Sequence, residues 1–402
     1  MAAAEKFSCR IAACKARIAA SVGMNRFMSK SHIYMSNFIY QFSNVCDKLG
    51  TIPTPSRRNV RFMFLENCWY VAARSHDVGR DLVARTMLNK PLVLYRLQDG
   101  TVAVLDDSCP HRRLPLSKGR LLGDAVECGY HGMQFDAAGR CIAVPTQRQI
   151  PPRAKVRSYP AVEKWGFVWT WMGDPEKADT ATLIDIPNFA DPAWGQTEGG
   201  TLEINCNYLW LTDNLLDPSH VAWVHRSSFA SPGTDGTPLQ LKVFDGGVIV
   251  SRWIDDQAPP PYYAPLVKFT GACDRLQHYE VRIPSICINR SIFTPAGTGG
   301  SEEVLDERAY VMVSYNFMTP IDEDRTAYYW FQHYNTDAAD EQIARQLNDG
   351  ARMAFNEDRG ILEAVHIGMQ EQTTPNIDLG LDAGSMRFRK MLDQAIAAEQ
   401  AA

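Results

Sequence analysis

From Met63 onward, apolar residues fall in short runs and alternations broken by Gly, Pro and Asp, a strand-rich pattern. Pro91–Tyr95 and Val102–Leu105 flank Asp99-Gly100, a dipeptide suited to a tight hairpin turn. Met133–Phe135 and Cys141–Val144 flank Ala137-Ala138-Gly139 in the same way. Gly166–Trp171 reads as a further strand, and Gly173-Asp174-Pro175 punctuates its end. Trp165, Trp169 and Trp171 recur along it, a spacing that reads as core rather than as a stacking platform. Beyond this point two periods mix. Strands are expected over Leu239–Trp253, Ala309–Asn316 and Ala327–His333, and helices over Asp213–His225, Asp340–Leu347 and Met353–Glu371. The pattern divides the chain into residues 1–62, an all-β domain over 63–173 and a mixed domain over 174–402, an α+β protein overall.

Charge changes the picture at one place. Residues 1–61 hold ten Lys and Arg against Glu5 and Asp47, although the whole 402-residue chain is net −5. This basic, acid-poor start reads as a leader or as an extension upstream of a natural start at Met63. The remainder is acidic, which gives no reason to expect nucleic acid or an anionic membrane as a partner. No apolar run reaches the roughly 18–20 residues needed to cross a bilayer. Ten cysteines in a chain of this length, mostly single, do not make a disulfide scaffold. They point to a reducing, cytoplasmic compartment in which paired Cys and His read as metal ligands.

Two such pairs stand in the first domain: Cys109-Pro110-His111 and Cys128-Gly129-Tyr130-His131, with 16 residues between them. Each lies in a loop beside an expected hairpin, so two approaching loops offer two thiolates and two imidazoles. Zinc accepts Cys2His2 tetrahedrally, but helical zinc fingers place the cysteines together and the histidines together on a helix. Alternating Cys and His from two β-loops suit a [2Fe-2S] cluster with one iron on the cysteines and one on the histidines.

A second constellation lies in Asp213-Asn214-Leu215-Leu216-Asp217-Pro218-Ser219-His220-Val221-Ala222-Trp223-Val224-His225. On a continuous helix Asp213, Asp217 and His220 share one face. His225, five residues after His220, lies about 140° away on such a helix, so a bulge or bend must bring both rings to one metal. Two neutral imidazoles and a carboxylate form the facial triad of non-haem Fe(II) oxygenases, which leaves positions open for oxygen and substrate. His278, His333 and His366 fall outside any ligand spacing and read as structural.

The loop pair resembles a Rieske protein. It lacks the extra cysteines that form a bracing disulfide in Rieske proteins of respiratory complexes, which points to the oxygenase or ferredoxin type. With the second motif, the chain resembles the Rieske non-haem iron oxygenases from about Trp69 to the C-terminal helix. The resemblance implies a Rieske [2Fe-2S] domain held by Cys109, His111, Cys128 and His131. It also implies a helix-grip-like antiparallel-sheet domain whose mononuclear Fe(II) is held by His220, His225 and Asp358. The last stands in Asn356-Glu357-Asp358-Arg359-Gly360-Ile361-Leu362-Glu363-Ala364, where Glu357 and Glu363 compete for the role. By the same resemblance Asp217 joins His220 to His131 of a neighbouring copy, which implies a homotrimer, and Asn214 helps to organise the site or holds the helix end.

The length after Met63, Trp69-Tyr70-Val71-Ala72-Ala73, Pro295-Ala296-Gly297-Thr298 and Met318-Thr319-Pro320 resemble the vanillate and dicamba O-demethylase branch. Asn289 and Asn316 stand where that branch places substrate-binding residues, the latter where a dicamba-type enzyme is expected to have His. The resemblance implies the terminal oxygenase of a monooxygenase system. A separate NAD(P)H-dependent reductase carrying flavin and iron-sulfur, or a ferredoxin, would feed it, since no dinucleotide-binding glycine loop is present here. The expected reaction is hydroxylation or O-demethylation of a small aromatic acid with O2. Ring cis-dihydroxylation or steroid hydroxylation, and an electron-transfer role without catalysis, remain the alternatives.

Overall fold

The computed structural model describes residues 64–230, 233–234, 236–298 and 304–401; the basic N-terminal segment lies outside them. Its first part is made of short antiparallel strands: β1 (Trp69–Arg74), β2 (Val83–Met87), β3 (Lys90–Arg96), β4 (Val102–Asp106), β5 (Arg120–Leu122), β6 (Ala125–Glu127), β7 (Gln134–Phe135), β8 (Cys141–Ala143), β9 (Ala161–Lys164) and β10 (Phe167–Trp171). They form three small sheets, ordered β1-β10-β9, β2-β3-β4 and β5-β6-β7-β8. The expected hairpins at Asp99-Gly100 and around Gly139 are both present, with Gly100 and Gly139 at positive φ.

The second part comprises β11 (Gly195–Gln196), β12 (Gly200–Ile204), α1 (Tyr208–Leu216), α2 (Val221–Val224), β13 (Gln240–Phe244), β14 (Gly247–Gln257), β15 (Cys273–Arg282), β16 (Ile286–Pro295), β17 (Tyr310–Pro320), β18 (Thr326–Tyr334), α3 (Glu341–Glu371) and α4 (Ala383–Ala401). One antiparallel sheet runs β11-β18-β17-β16-β15-β14-β13, with β12 also paired to β18. Helices α1, α3 and α4 close over one face, where Leu211, Leu215, Val250, Tyr328, Trp330, Leu362 and Phe388 bury together.

The opposite face of that sheet packs on the first part. Trp69, Val71, Phe167, Trp169 and Trp171 share a core with Leu276, Ile288, Phe317, Tyr329 and Phe331. Each indole finds an acceptor: the Nε1 groups of Trp69, Trp169 and Trp171 donate to the carbonyls of Asp179, Lys164 and Asp174 at 2.8–3.0 Å. Hydrogen bonds cross the same contact. Thr319 Oγ1 donates to the Val71 carbonyl at 2.7 Å, the Tyr329 hydroxyl to that of Ala72 at 3.0 Å, and the Leu88 amide to that of Pro320 at 2.9 Å. The loops of the first part are therefore carried on a rigid base.

Several expected elements differ, each for a local reason. The stretch Leu239–Trp253 is two strands, because Asp245-Gly246 turns the chain with Gly246 at φ 77°. Central strands β15 and β16 were not expected, since β15 buries Asp274, Arg275, Gln277, His278 and Glu280 and so shows no apolar alternation. The helices expected over Asp340–Leu347 and Met353–Glu371 are one helix, α3, running through Gly350. A Cβ there would come within 2.1 Å of the Tyr262 ring, so the glycine serves a close approach and does not end the helix. The helix expected over Asp213–His225 is instead broken after Leu216.

Candidate metal centres

The two Cys-His loops are built alike. In the first, the Cys109 amide donates to the Leu114 carbonyl and the Arg113 amide to that of Cys109; in the second, Cys128 pairs in the same way with Met133 and Gly132. The fourth residue after each cysteine takes positive φ, 60° at Arg113 and 71° at Gly132. Close backbone approach fixes the second loop: a Cβ on Gly129 would meet the Lys118 carbonyl at 2.9 Å. Cys109 and Cys128 are buried, each 2% exposed. His111 and His131 are exposed at the tip, their ring centroids 4.6 Å apart, with the Tyr130 ring 3.9 Å from that of His131. Burial pushes the Cys109 thiol pKa up, so a thiolate there needs a cation to hold it. Among the described residues, the ligand atoms of these four side chains do not all lie within 4.8 Å of one another. Two buried sulfurs and two outward imidazoles spread beyond one ion fit a two-iron cluster better than a single zinc.

The break after Leu216 makes the second centre. Asp217 leaves the helical conformation at φ −101° and ψ 102°, and its carboxylate accepts from the Ser219 amide at 2.7 Å and the His220 amide at 3.2 Å. The short helix α2 follows, with His220 as its N-cap and His225 as its C-cap. This corrects the expectation that Asp213, Asp217 and His220 share one helix face. Asp213 instead pairs with Arg389 of α4. The break achieves what the spacing required, and the His220 and His225 ring centroids stand 5.3 Å apart.

Each ring is held from behind. His220 Nδ1 lies 2.6 Å from the Asp217 carbonyl oxygen, an acceptor only, so Nδ1 carries the proton and Nε2 is left as a lone pair. His225 Nδ1 lies 2.7 Å from Glu357 Oε2, with the same consequence. The two Nε2 atoms face Asp358 Oδ1 of α3, at 3.6 Å from His220 and 3.2 Å from His225. The ligand atoms of His220, His225 and Asp358 all lie within 4.8 Å of one another, the only such group among the described residues. Asp358 and His225 are buried, and Asn214 Nδ2 donates to Asp358 Oδ1 at 3.3 Å. Three acceptors converging in a buried place require a proton or a cation between them. In the metal-free chain burial acts against a charged His225, but the carboxylates of Asp358 and Glu357 together outweigh it and raise its pKa. Two imidazoles and one carboxylate on one side of an ion fit iron(II) with open positions.

A cavity of about 90 Å³ opens beside this group. Tyr279, Asn289, Ser314 and Asn316 line it from the sheet, and Leu215, Phe229 and Phe355 from the helical side. Both expected pocket residues are present, but their amides are tied to the wall. Asn289 Nδ2 donates to the Leu215 carbonyl at 2.8 Å, and Asn316 Nδ2 donates to Asn289 Oδ1 at 3.2 Å. The Tyr328 hydroxyl donates to Asn316 Oδ1 at 2.7 Å. Glu357, expected as a competing ligand, instead supports His225, and Arg275 on the cavity wall has no local signal in the sequence. The expected structural histidines are all buried with hydrogen-bonding partners; burial alone lowers the His333 pKa to about 4.

Residues 68–160 match the Rieske [2Fe-2S] domain and residues 204–398 the vanillate O-demethylase oxygenase C-terminal domain. The chain is 36% identical over 346 residues to the toluene-4-sulfonate monooxygenase iron-sulfur subunit of Comamonas testosteroni, covering 84% of this chain and 98% of that one. It is 31% identical over 346 residues to a vanillate O-demethylase oxygenase subunit of a Pseudomonas species, covering 85% and 97%. The crystal structure of dicamba monooxygenase bound to 3,6-dichlorosalicylic acid superposes with a TM-score of 0.78 at 29% identity, over 85% of this chain and all of that one. Fold and centres thus define a two-centre iron oxygenase with a [2Fe-2S] cluster and a mononuclear iron. The chain belongs to the Rieske non-haem iron oxygenases, in the vanillate O-demethylase branch, and is the oxygenase component of a monooxygenase system.

Replacing Asp358 with Ala should leave the cluster untouched and empty the second centre. Protein prepared without oxygen should then hold two irons and two acid-labile sulfides per chain (three irons and two sulfides in the parent), with the low-average-g EPR signal of the reduced cluster unchanged. Retention of the third iron would show that Asp358 is not a ligand.

Proposed function

We propose that this oxygenase hydroxylates a methyl or methoxy carbon of a small aromatic acid, releasing formaldehyde when the carbon is O-linked. The observation that carries the reading is the His220-His225-Asp358 group opening directly onto a small, mostly apolar cavity. The cluster when bound supplies single electrons, and the mononuclear iron when bound activates dioxygen. The chain's own residues do the positioning. Asp217 and Glu357 fix the tautomers of His220 and His225, Asn214 orients Asp358, and Phe229 and Phe355 exclude water beside the substrate ring. Relatives that act on toluene-4-sulfonate, vanillate and dicamba support an aromatic acid as the substrate class.

The reading extends to partners. A separate NAD(P)H-dependent reductase or a ferredoxin reduces the cluster, and the working form is a homotrimer in which Asp217 lies between His220 of one copy and His131 of the next. Exposure of His131 supports this, as does Trp223, which is 66% exposed within the same segment. The site of action is the cytoplasm, a reading supported by Cys68, Cys141, Cys206, Cys273 and Cys287, which among the described residues form no disulfide and are outside the cluster loops. None of the described helices is long and apolar enough to cross a membrane.

With a generic reductase, a screen across methoxybenzoates should find one that yields formaldehyde and phenol in step with O2 uptake. A cis-dihydrodiol in place of both would overturn the reading. Asp217→Asn keeps the main-chain carbonyl that holds His220 Nδ1 and removes only the charge presented to His131 of the next copy, so iron, sulfide and cluster reduction should remain normal while turnover falls by about two orders of magnitude, some 2.7 kcal/mol of barrier. Single-turnover reoxidation of the pre-reduced cluster as fast as in the parent would remove Asp217 from the path between centres.

A further inference from the structure

Asp217 is placed by more than its own hydrogen bonds, because the peptide unit joining Pro218 to Ser219 is held from both ends. Its N–H, on Ser219, donates to Asp217 Oδ1 at 2.7 Å, and its carbonyl, on Pro218, accepts from Arg252 Nη2 at 3.1 Å. A trans peptide is planar and points its C=O and N–H in opposite directions, so fixing one end sets the direction of the other. Pro218 is buried, which denies its carbonyl the alternative of turning to water. Donation from a cation to that carbonyl also polarises the same peptide and strengthens its N–H as a donor.

Arg252 reaches this peptide from β14 and is only 3% exposed. Its other two nitrogens are engaged as well, Nε donating to Gln277 Oε1 at 2.7 Å and Nη1 to the Thr237 carbonyl at 3.2 Å. Gln277 stands opposite Arg252 in the β14–β15 register and is fully buried. The rigid guanidinium is therefore anchored to the central sheet and cannot swing without breaking all three bonds. In the break between α1 and α2, the amides of Ser219 and His220 donate to the Asp217 side chain and not to a helical carbonyl. The direction of the carboxylate thus depends on the Pro218-Ser219 peptide, and that peptide on Arg252.

We propose that Arg252 is a positioning residue for Asp217, acting through the Pro218-Ser219 peptide to aim the carboxylate at His131 of the next copy. A carboxylate has about four lone-pair sites, so the two amides leave room for an imidazole N–H from outside the chain. The effect on turnover rests on the reading of Asp217 as the link between centres; the positioning within one chain does not.

The test is amide exchange resolved residue by residue on the full-length, metal-loaded enzyme, alongside single-turnover reoxidation of the pre-reduced cluster. Arg252→Met should speed exchange of the Ser219 amide about 10- to 100-fold, the scale of one hydrogen bond from a charged donor. Amides of β16 and β17 should exchange as before, iron and sulfide content should hold, and reoxidation should slow about tenfold or more. Arg252→Lys, which keeps a cationic donor, should recover part of both losses. Added to Asp217→Asn, Arg252→Met should slow reoxidation no further, whereas a contribution independent of Asp217 would multiply. Unchanged Ser219 exchange in folded Arg252→Met would overturn the proposal, as would full additivity with Asp217→Asn. If neither Arg252 variant folds, the unmodified enzyme decides, and a Ser219 amide that exchanges at the rate of an unprotected one would overturn it. Faster Ser219 exchange in Arg252→Met, with reoxidation unchanged both there and in Asp217→Asn, would uphold the positioning and count against Asp217 as the link instead.

Discussion

Three lone-pair donors held face to face in a buried place are the constraint on which the rest of the structure turns. His220 Nε2, His225 Nε2 and Asp358 Oδ1 converge with no donor among them, an arrangement that is unfavourable without a cation. The surrounding chain is arranged to keep it so. The Asp217 carbonyl and the Glu357 carboxylate hold the ring protons on the far nitrogens, and Asn214 reaches the carboxylate from the last turn of α1. The helix break after Leu216 follows from the same need, because a continuous helix would carry the two rings to different sides.

The distribution of polar residues through the sheet follows from that centre. A strand face that lines a cavity beside buried ligands cannot be wholly apolar, so β15, β16 and β17 send Arg275, Tyr279, Asn289, Ser314 and Asn316 toward it. The opposite sheet face has no such duty and is packed with aromatic and branched residues against the Trp69, Trp169 and Trp171 layer of the Rieske part. One sheet therefore serves as the wall of the oxidising site and as the foundation of the cluster loops. The mirrored hydrogen bonding of those loops, with buried cysteines and outward histidines, leaves His131 at the surface where another protein surface can meet it.

Residues whose chemistry is local were legible in the sequence. The paired Cys-His loops, the hairpins around Gly100 and Gly139 and the His220-His225 spacing each carry their reason within a few positions. Asp358 needed the family resemblance, because an acid on an amphipathic helix is usually solvated and its burial is set by α1 from far along the chain. Arg275 and the whole of β15 carry no alternation because polar side chains are buried on both faces of the strand, Arg275 on the cavity wall and Gln277, His278 and Glu280 in hydrogen bonds away from it. Gly350 misled for the opposite reason: it looks like a helix break and is a place where the Tyr262 ring comes close. Glu357 was visible but its part was not, since a ligand and a ligand's support have the same residue type.

We propose two separate iron centres, one held by Cys109, His111, Cys128 and His131 and the other by His220, His225 and Asp358. Anomalous diffraction recorded on either side of the iron edge, from crystals grown without oxygen, tests this most directly. One peak should lie between His220, His225 and Asp358, and a second, two-iron peak between the Cys109-Cys128 pair and the His111-His131 pair. A zinc edge at either position, or iron bound away from these residues, would contradict it.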